Sequence, residues 1–160
     1  MIILFKQAKV FVKHFCLFFC ASTLERVCCF FFEKMEEKRM KTLGYYNGKF
    51  GELDEMSIPM NDRVCWFGDG VYDAGLSRNY KIFALNEHID RLFNSAGLLD
   101  IKVPVTKAEL ADLLQEMVNK MDTGNLFVYY QVTRGTGMRN HVFPEGKANL
   151  WIMLKPAEIA

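Results

Sequence analysis

Neither sign of charge dominates this chain of 160 residues: 20 lysines and arginines stand against 19 aspartates and glutamates, for a net charge of +1. No general field therefore draws in nucleic acid or an acidic membrane surface, and neither is expected as a partner. Any anion must be recognised by local groups. Histidine is scarce, at three residues, and no Cys-x-x-Cys pair comes with histidines at ligand spacing, so no zinc or other metal site is expected. Long apolar runs are missing too. A transmembrane helix needs roughly 20 mostly apolar residues. Here Lys13 and His14 break the first apolar stretch, and Glu25 and Arg26 separate it from the second. No internal repeat is present. What remains, 51% hydrophobic and 24% charged, is the composition of an ordinary globular protein with one domain, or one domain and a tail.

The chain changes character near residue 40. Residues 1–34 hold eight of the fourteen phenylalanines and four of the five cysteines (Cys16, Cys20, Cys28, Cys29), with no glycine or proline. Two readings of this stretch stand. Lys6, Lys9 and Lys13 ahead of HFCLFFCAS resemble a secretory signal, yet no A-x-A-like cleavage site follows and the rest reads as cytoplasmic. Alternatively it is translated upstream sequence, with the true start at Met35 or Met40, which opens directly on a plausible strand. The expectation is a hydrophobic extension over 1–39 and a folded domain over 40–160. Exposed, a Phe- and Cys-rich stretch without breakers is an aggregation hazard.

From residue 40 the pattern is strands, two helices, strands. Leu43–Tyr46, Asn47-Gly48 and Lys49-Phe50 read as a hairpin, because Asn and Gly tolerate the positive φ of a type I′ turn. Ser57–Met60 reads as short and extended before and around Pro59. Val71–Leu76 and Lys81–Leu85 frame Ser77–Tyr80 as a second hairpin. Asn86 is the expected N-cap of a helix whose apolar residues are Ile89, Leu92, Phe93, Ala96 and Leu99. Ile101–Val105 is a connector. Thr106 and Glu109 form a capping box ahead of an apolar stripe of Leu110, Leu113, Leu114, Met117, Val118 and Met121, with Gly124 as the stop. Asn125–Thr133 and Ala148–Leu154 read as buried strands. The order is α+β, not βαβ alternation.

Three segments hold candidate chemistry. Phe67-Gly68-Asp69-Gly70-Val71-Tyr72 does not fit G-x-G-x-x-G, and on its own terms is a tight turn entering a strand. Asp69 and Asp73 flank Tyr72 without forming a paired-carboxylate mechanism. Arg91 lies off the apolar stripe of its helix; it is either a solvated partner of Glu87 or an anion ligand, since a guanidinium forks onto phosphate oxygens. His88 reads as a helix-surface residue and Cys65-Trp66 as core. In Thr133–His141, Arg139 and His141 stand two apart, so an extended segment would send both side chains from one face to hold a carboxylate. A flexible basic loop is the other reading.

Taken together, NDRVCWFGDGVYDAG, NEHIDRLFNSAGLL and QVTRGTGMRNHVFPEG resemble class IV aminotransferases, nearest to the D-amino-acid (D-alanine) enzymes, over Leu43 to Lys155. The resemblance implies the small N-terminal domain of that fold, an antiparallel sheet with two helices. It implies pyridoxal 5'-phosphate as cofactor, and amino-group transfer between a D-amino acid and a 2-oxo acid in a homodimer. Arg91 would bind the cofactor phosphate, Tyr72 would line the substrate pocket, and Arg139 with His141 would grip the substrate carboxylate, often in the neighbouring subunit's site. That last pair separates the D-amino-acid enzymes from branched-chain aminotransferases and aminodeoxychorismate lyases, the alternatives within the family. The lysine that carries the cofactor belongs to a second domain, and neither Lys147 nor Lys155 matches its motif. The expectation is therefore a binding half, or a non-catalytic remnant, inactive by itself. An apolar face around Tyr129, Trp151 and Met153 should lie exposed in such a half.

Overall fold

A computed structural model describes residues 41–144 and 146–158. The expected extension over 1–39 lies outside them. Six strands form one antiparallel sheet: β1 (Leu43–Tyr46), β2 (Lys49–Gly51), β3 (Gly70–Arg78), β4 (Lys81–Ile82), β5 (Leu126–Thr133) and β6 (Asn149–Pro156). Their order across the sheet is β2-β1-β6-β5-β3-β4. The pair β3 and β5 runs in register from Gly70 opposite Thr133 to Ser77 opposite Leu126. Three helices complete the domain: α1 (Arg63–Phe67), α2 (Leu85–Leu98) and α3 (Lys107–Asn119). None of the described helices is long and apolar enough to cross a membrane.

Alternation sorts the strand residues into two faces. Leu43, Leu126, Val128, Tyr130, Val132, Leu150, Ile152 and Leu154 form one core with Ile89, Leu92 and Ala96 of α2 and Leu110, Leu114, Met117 and Val118 of α3. The amphipathic stripes of the two helices thus cover one face of the sheet, a two-layer α+β arrangement. Tyr72, Phe127, Tyr129, Trp151 and Met153 occupy the alternate positions, outside that core; Tyr129, Trp151 and Met153 are half-buried, where an exposed face was expected. Tyr72 remains 65% exposed. Tyr129 stacks on Tyr72 at 5.3 Å between ring centroids and meets Trp151 at 5.2 Å, a continuous aromatic row.

Local chemistry made several elements readable. Asn47 and Gly48 both take positive φ, 44° and 93°, as a type I′ turn requires. The capping box is formed: the Thr106 side chain accepts from the Glu109 backbone, and the Glu109 carboxylate accepts from the Thr106 backbone at 2.7 Å. The second hairpin turns more tightly than expected, at Asn79-Tyr80, both with positive φ.

Other expectations need correction. Asn86 is not the N-cap: α2 begins at Leu85 behind Ala84, which sits in the left-handed region with φ 47°. Leu85 packs against the core, and the helix start lies two positions earlier than expected. Leu99 falls beyond the helix and is 44% exposed. Cys65 is exposed, not core. Its helix α1, missed in the sequence, has only five residues, too few to show a period. It is set by Asp62, whose side chain accepts from the Val64 backbone, and ends at Gly68 in the left-handed region.

Gly124 does not stop α3, which ends at Asn119. Its role is close approach: a Cβ there would strike the Tyr80 backbone nitrogen, which donates to the Gly124 carbonyl at 3.2 Å. Gly97 in α2, by contrast, has open space where a Cβ would go. Two substitutions should therefore differ in sign. Gly124→Ala should destabilise by about 1–3 kcal/mol through overpacking, and Gly97→Ala should stabilise by about 0.5–1 kcal/mol through helix propensity. Urea denaturation of both variants checks this, and equal shifts would contradict it.

Candidate functional site

Two carboxylates organise the polar groups. Asp73 lies on β3 at a position facing the core, opposite Tyr130, with its side chain 2% exposed. A carboxylate there keeps its charge only if donors meet it. Arg91 of α2 supplies two, Nε to Oδ2 at 2.7 Å and Nη2 to Oδ1 at 2.9 Å. His88, one turn earlier, brings Nδ1 to Asp73 Oδ1 at 2.8 Å. An Nδ1 that donates to Asp73 cannot also accept from Arg91 Nη2, 3.0 Å away, so that approach is a contact and not a second bond. Gly75, the next residue on this face of β3, leaves room for the imidazole: a Cβ there would lie 3.4 Å from His88 Nε2. Burial opposes the charge on Asp73, but the hydrogen bonds and charges of Arg91 and His88 outweigh it and hold its pKa below the usual carboxylate value. The bond to Asp73 in turn raises the pKa of Arg91. The Tyr130 hydroxyl is buried without a hydrogen-bond partner among the described residues, and desolvation, then the Asp73 charge, push its pKa up.

Arg91 is therefore not the partner of Glu87. Its guanidinium is seated on Asp73 along one edge, yet 63% of the side chain is exposed, and its Nη1 makes no hydrogen bond among the described residues. His88, read as a surface residue, is 19% exposed at the side chain and tied to the sheet.

The second carboxylate is Asp69, at the entrance to β3. Arg63 of α1 donates Nε to Oδ2 at 2.7 Å, and Arg134, just past β5, donates Nε to both oxygens at 2.9 Å. Both arginines are largely buried, at 4% and 11% exposure of the side chain. Burial again opposes the Asp69 charge, and the bonds from Arg134 and Arg63 more than offset it, so its pKa is lowered. Arg134 also donates to the Leu99 carbonyl at 2.7 Å, tying the end of α2 to the same point.

Arg139 and His141 project from the loop after β5. The loop bends and is not extended, so strand alternation is not what brings the two together. Phe67 does so: the Arg139 guanidinium lies 5.3 Å from its ring centroid, and the His141 ring 5.6 Å away. Both residues are exposed. Tyr72 stands apart, in the aromatic row on the open face of the sheet. Among the described residues no hydrogen bond joins Tyr72, Arg91 and the Arg139/His141 pair. Lys155 lies over the Phe127 ring at 5.5 Å, and Lys147 is exposed.

Sequence reasoning missed Arg63, Arg134, Asp69 and Asp73 as organisers. One signal was available: on β3 the core-facing positions read Val71, Asp73, Gly75, Ser77, and a carboxylate in that series calls for a cation.

The family model for amino-transferase class IV matches residues 70–160. The D-alanine aminotransferase of Listeria monocytogenes serotype 1/2a (strain 10403S) is 45% identical over 102 residues, which are 62% of this chain and 35% of that protein. That of Bacillus licheniformis is 38% identical over 107 residues, 67% and 37% of the two chains. The chain thus spans about a third of the length of these relatives. Among solved structures, the branched-chain aminotransferase from the archaeon Thermoproteus uzoniensis, with norvaline, superposes with a TM-score of 0.65 at 19% identity, covering 71% of this chain and 40% of that one. The Escherichia coli branched-chain enzyme gives 0.67 at 17% identity, covering 74% and 42%. At these identities the likeness shows the fold.

The lowered pKa of Asp73 has a definite sign. Its contribution to stability is complete above the ordinary carboxylate pKa of 3.8 and is lost as pH falls through the lower, folded value. Asp73→Asn should cost roughly 1.5–3 kcal/mol at neutral pH, the range for hydrogen bonds to charged groups. The stabilities of variant and wild type should converge as pH falls below about 4. Urea midpoints at several pH values measure this, and a gap that widens in acid would refute it.

Proposed function

This chain belongs to amino-transferase class IV, and from that premise we propose that it carries the phosphate- and substrate-gripping half of a pyridoxal-phosphate transaminase. The parent reaction in this reading moves an amino group between a D-amino acid, D-alanine or a close analogue, and a 2-oxo acid. The observation that carries it is the exposed pair Arg139 and His141 gathered on Phe67. A guanidinium forks onto a carboxylate, and an imidazole beside it adds a donor. The pair also favours a D-amino-acid enzyme over a branched-chain aminotransferase or an aminodeoxychorismate lyase.

The residues present fit the cofactor's phosphate. Arg91 is exposed on its outer side and held still by two bonds to Asp73, so its free edge is already oriented toward an anion. Pyridoxal phosphate, when bound, supplies the electron-accepting ring that amino-group transfer needs. Arg91 would hold the phosphate, and His88 would keep Asp73 and Arg91 in place. Tyr72, backed by its stack on Tyr129, would wall the pocket. Arg139 and His141 would orient the α-carboxylate. We place the parent enzyme in the cytoplasm as a homodimer, in which this pair serves the neighbouring subunit. The remaining length of the relatives would bring the lysine that carries the cofactor. Lys155 is engaged with Phe127, and Lys147 is exposed at the approach to β6, so these residues alone should not transaminate.

The test uses two anions on the full chain, followed by NMR. Pyruvate should shift the His141 ring signals, and Arg139→Ala should weaken its binding by about tenfold or more, the loss expected for a charge-assisted bond. Inorganic phosphate should be weakened by a similar factor, about tenfold, in Arg91→Ala. Pyruvate binding that survives Arg139→Ala would remove the carboxylate reading.

A further inference from the structure

The loop bearing Arg139 and His141 is held very unequally along its length. Its first half is laced to the residues that lead into and open α1: Arg63 N donates to the Gly135 carbonyl at 3.0 Å, Gly137 N donates to the Asn61 carbonyl at 3.0 Å, and Asp62 bridges Thr136. Its tip, Met138 to Phe143, has no such ladder and is exposed throughout. Ring contacts touch the tip, from Phe67 to Arg139 and His141 and from Arg134 to Phe143, and its backbone is hydrogen-bonded by Arg63. Its Nη1 donates to the Asn140 carbonyl at 2.7 Å, with the Val142 carbonyl at 3.4 Å. Asn140 is the residue between Arg139 and His141. The same guanidinium lies over Phe67 at 4.6 Å and 5.6 Å from the Phe143 ring, while Arg134 stacks on Phe143 at 3.8 Å. Both cations are set in place by one carboxylate, Asp69.

We propose that Asp69, acting through Arg63, is a positioning residue for the carboxylate grip: it fixes the Asn140 carbonyl and thereby directs the flanking Arg139 and His141 side chains. The inference rests on the reading of that pair as a carboxylate ligand. Asp69 itself does not meet the ligand, because both its oxygens are occupied by Arg63 and Arg134. Its effect is geometric. A planar fork held by a carboxylate on Nε presents Nη1 in one direction only, and a backbone carbonyl bonded there loses its rotational freedom. Ordering the tip before the ligand arrives removes that cost from binding. The arrangement has an electrostatic consequence as well. Two arginines on one aspartate leave a unit of positive charge at the base of the loop, of the sign a carboxylate seeks.

The experiment compares Asp69→Asn and Arg63→Lys with wild type, by backbone amide order parameters from NMR relaxation and by pyruvate titration. Lysine retains a cation for Asp69 and the packing stem, but loses the fork that joins Asp69 to the Asn140 carbonyl. Both variants should lower the order parameters of residues 138–143 from the rigid range near ~0.85 to below ~0.6. They should leave α3 and β5 unchanged and weaken pyruvate by about tenfold. Should Asp69→Asn loosen α3 and β5 as well, Arg63→Lys decides. A tip as ordered as wild type in Arg63→Lys, or pyruvate binding unchanged in it, overturns the proposal. Arg139→Ala is the control that separates the two ideas. If it leaves pyruvate binding intact, the carboxylate reading falls and takes the inference with it. If it abolishes binding while Asp69→Asn and Arg63→Lys bind normally, only the inference falls.

Discussion

A buried carboxylate must be met by donors, and β3 with the turn that leads into it places two that are met by cations. Asp73 draws Arg91 and His88 from α2, and Asp69 draws Arg63 from α1 and Arg134 from the end of β5. Every polar element of the candidate site is therefore referenced to one strand. Arg91 is held by Asp73, and the loop of Arg139 and His141 is tied through Arg63 to Asp69. Neither acid is spare. Removing Asp69 would leave two largely buried guanidinium groups without their partner, which costs more than the pairs contribute when intact; removing Asp73 would free His88 and the exposed Arg91 from the sheet.

The sheet divides the remaining work by alternation. Side chains on one face of β5 and β6 are fully buried against α2 and α3. Those on the other face form the aromatic row of Tyr72, Tyr129 and Trp151, which no helix of the core covers. The helix-covered core and the aromatic row thus fall on opposite sides of the same strands. Tyr72 and Asp73 show this at the scale of two residues: one faces outward with 65% exposure, and the next is buried against Arg91. A one-residue slip of β3 would exchange them, exposing the anchor and burying the pocket wall. The long register between β3 and β5, from Gly70 to Ser77, is what forbids the slip.

How much of this was legible in the sequence follows from how local each cause is. The Asn47-Gly48 turn and the Thr106/Glu109 capping box were readable because their partners lie within three residues. Arg63 lies six positions before Asp69, across a helix too short to have a period, and Arg134 lies 65 positions after it, brought back only by strand pairing. No local period links the first pair, and no short window contains the second. Gly124 illustrates the opposite error. A glycine after a helix suggests a stop, but here it answers to the Tyr80 backbone in the distant β3–β4 turn. The roles of Tyr72, Arg91, Arg139 and His141 came from resemblance, and geometry adds the reason why Arg91 and the loop are held as they are.

That reason bears on where specificity can reside. The loop tip contributes nothing to the core: Met138, Arg139, Asn140, His141, Val142 and Phe143 are all exposed. It is attached through backbone carbonyls held by Arg63, through Phe143 under Arg134, and through the packing of Arg139 and His141 on Phe67. The carbonyl attachment tolerates different residues at Arg139 and His141 without disturbing the sheet, provided Asp69 and Arg63 remain. Function on this fold can therefore change at the tip while the anchor stays constant. The converse also holds. A substitution at Asp69 that released Arg63 would reach the backbone of both residues at once, through the single carbonyl between them.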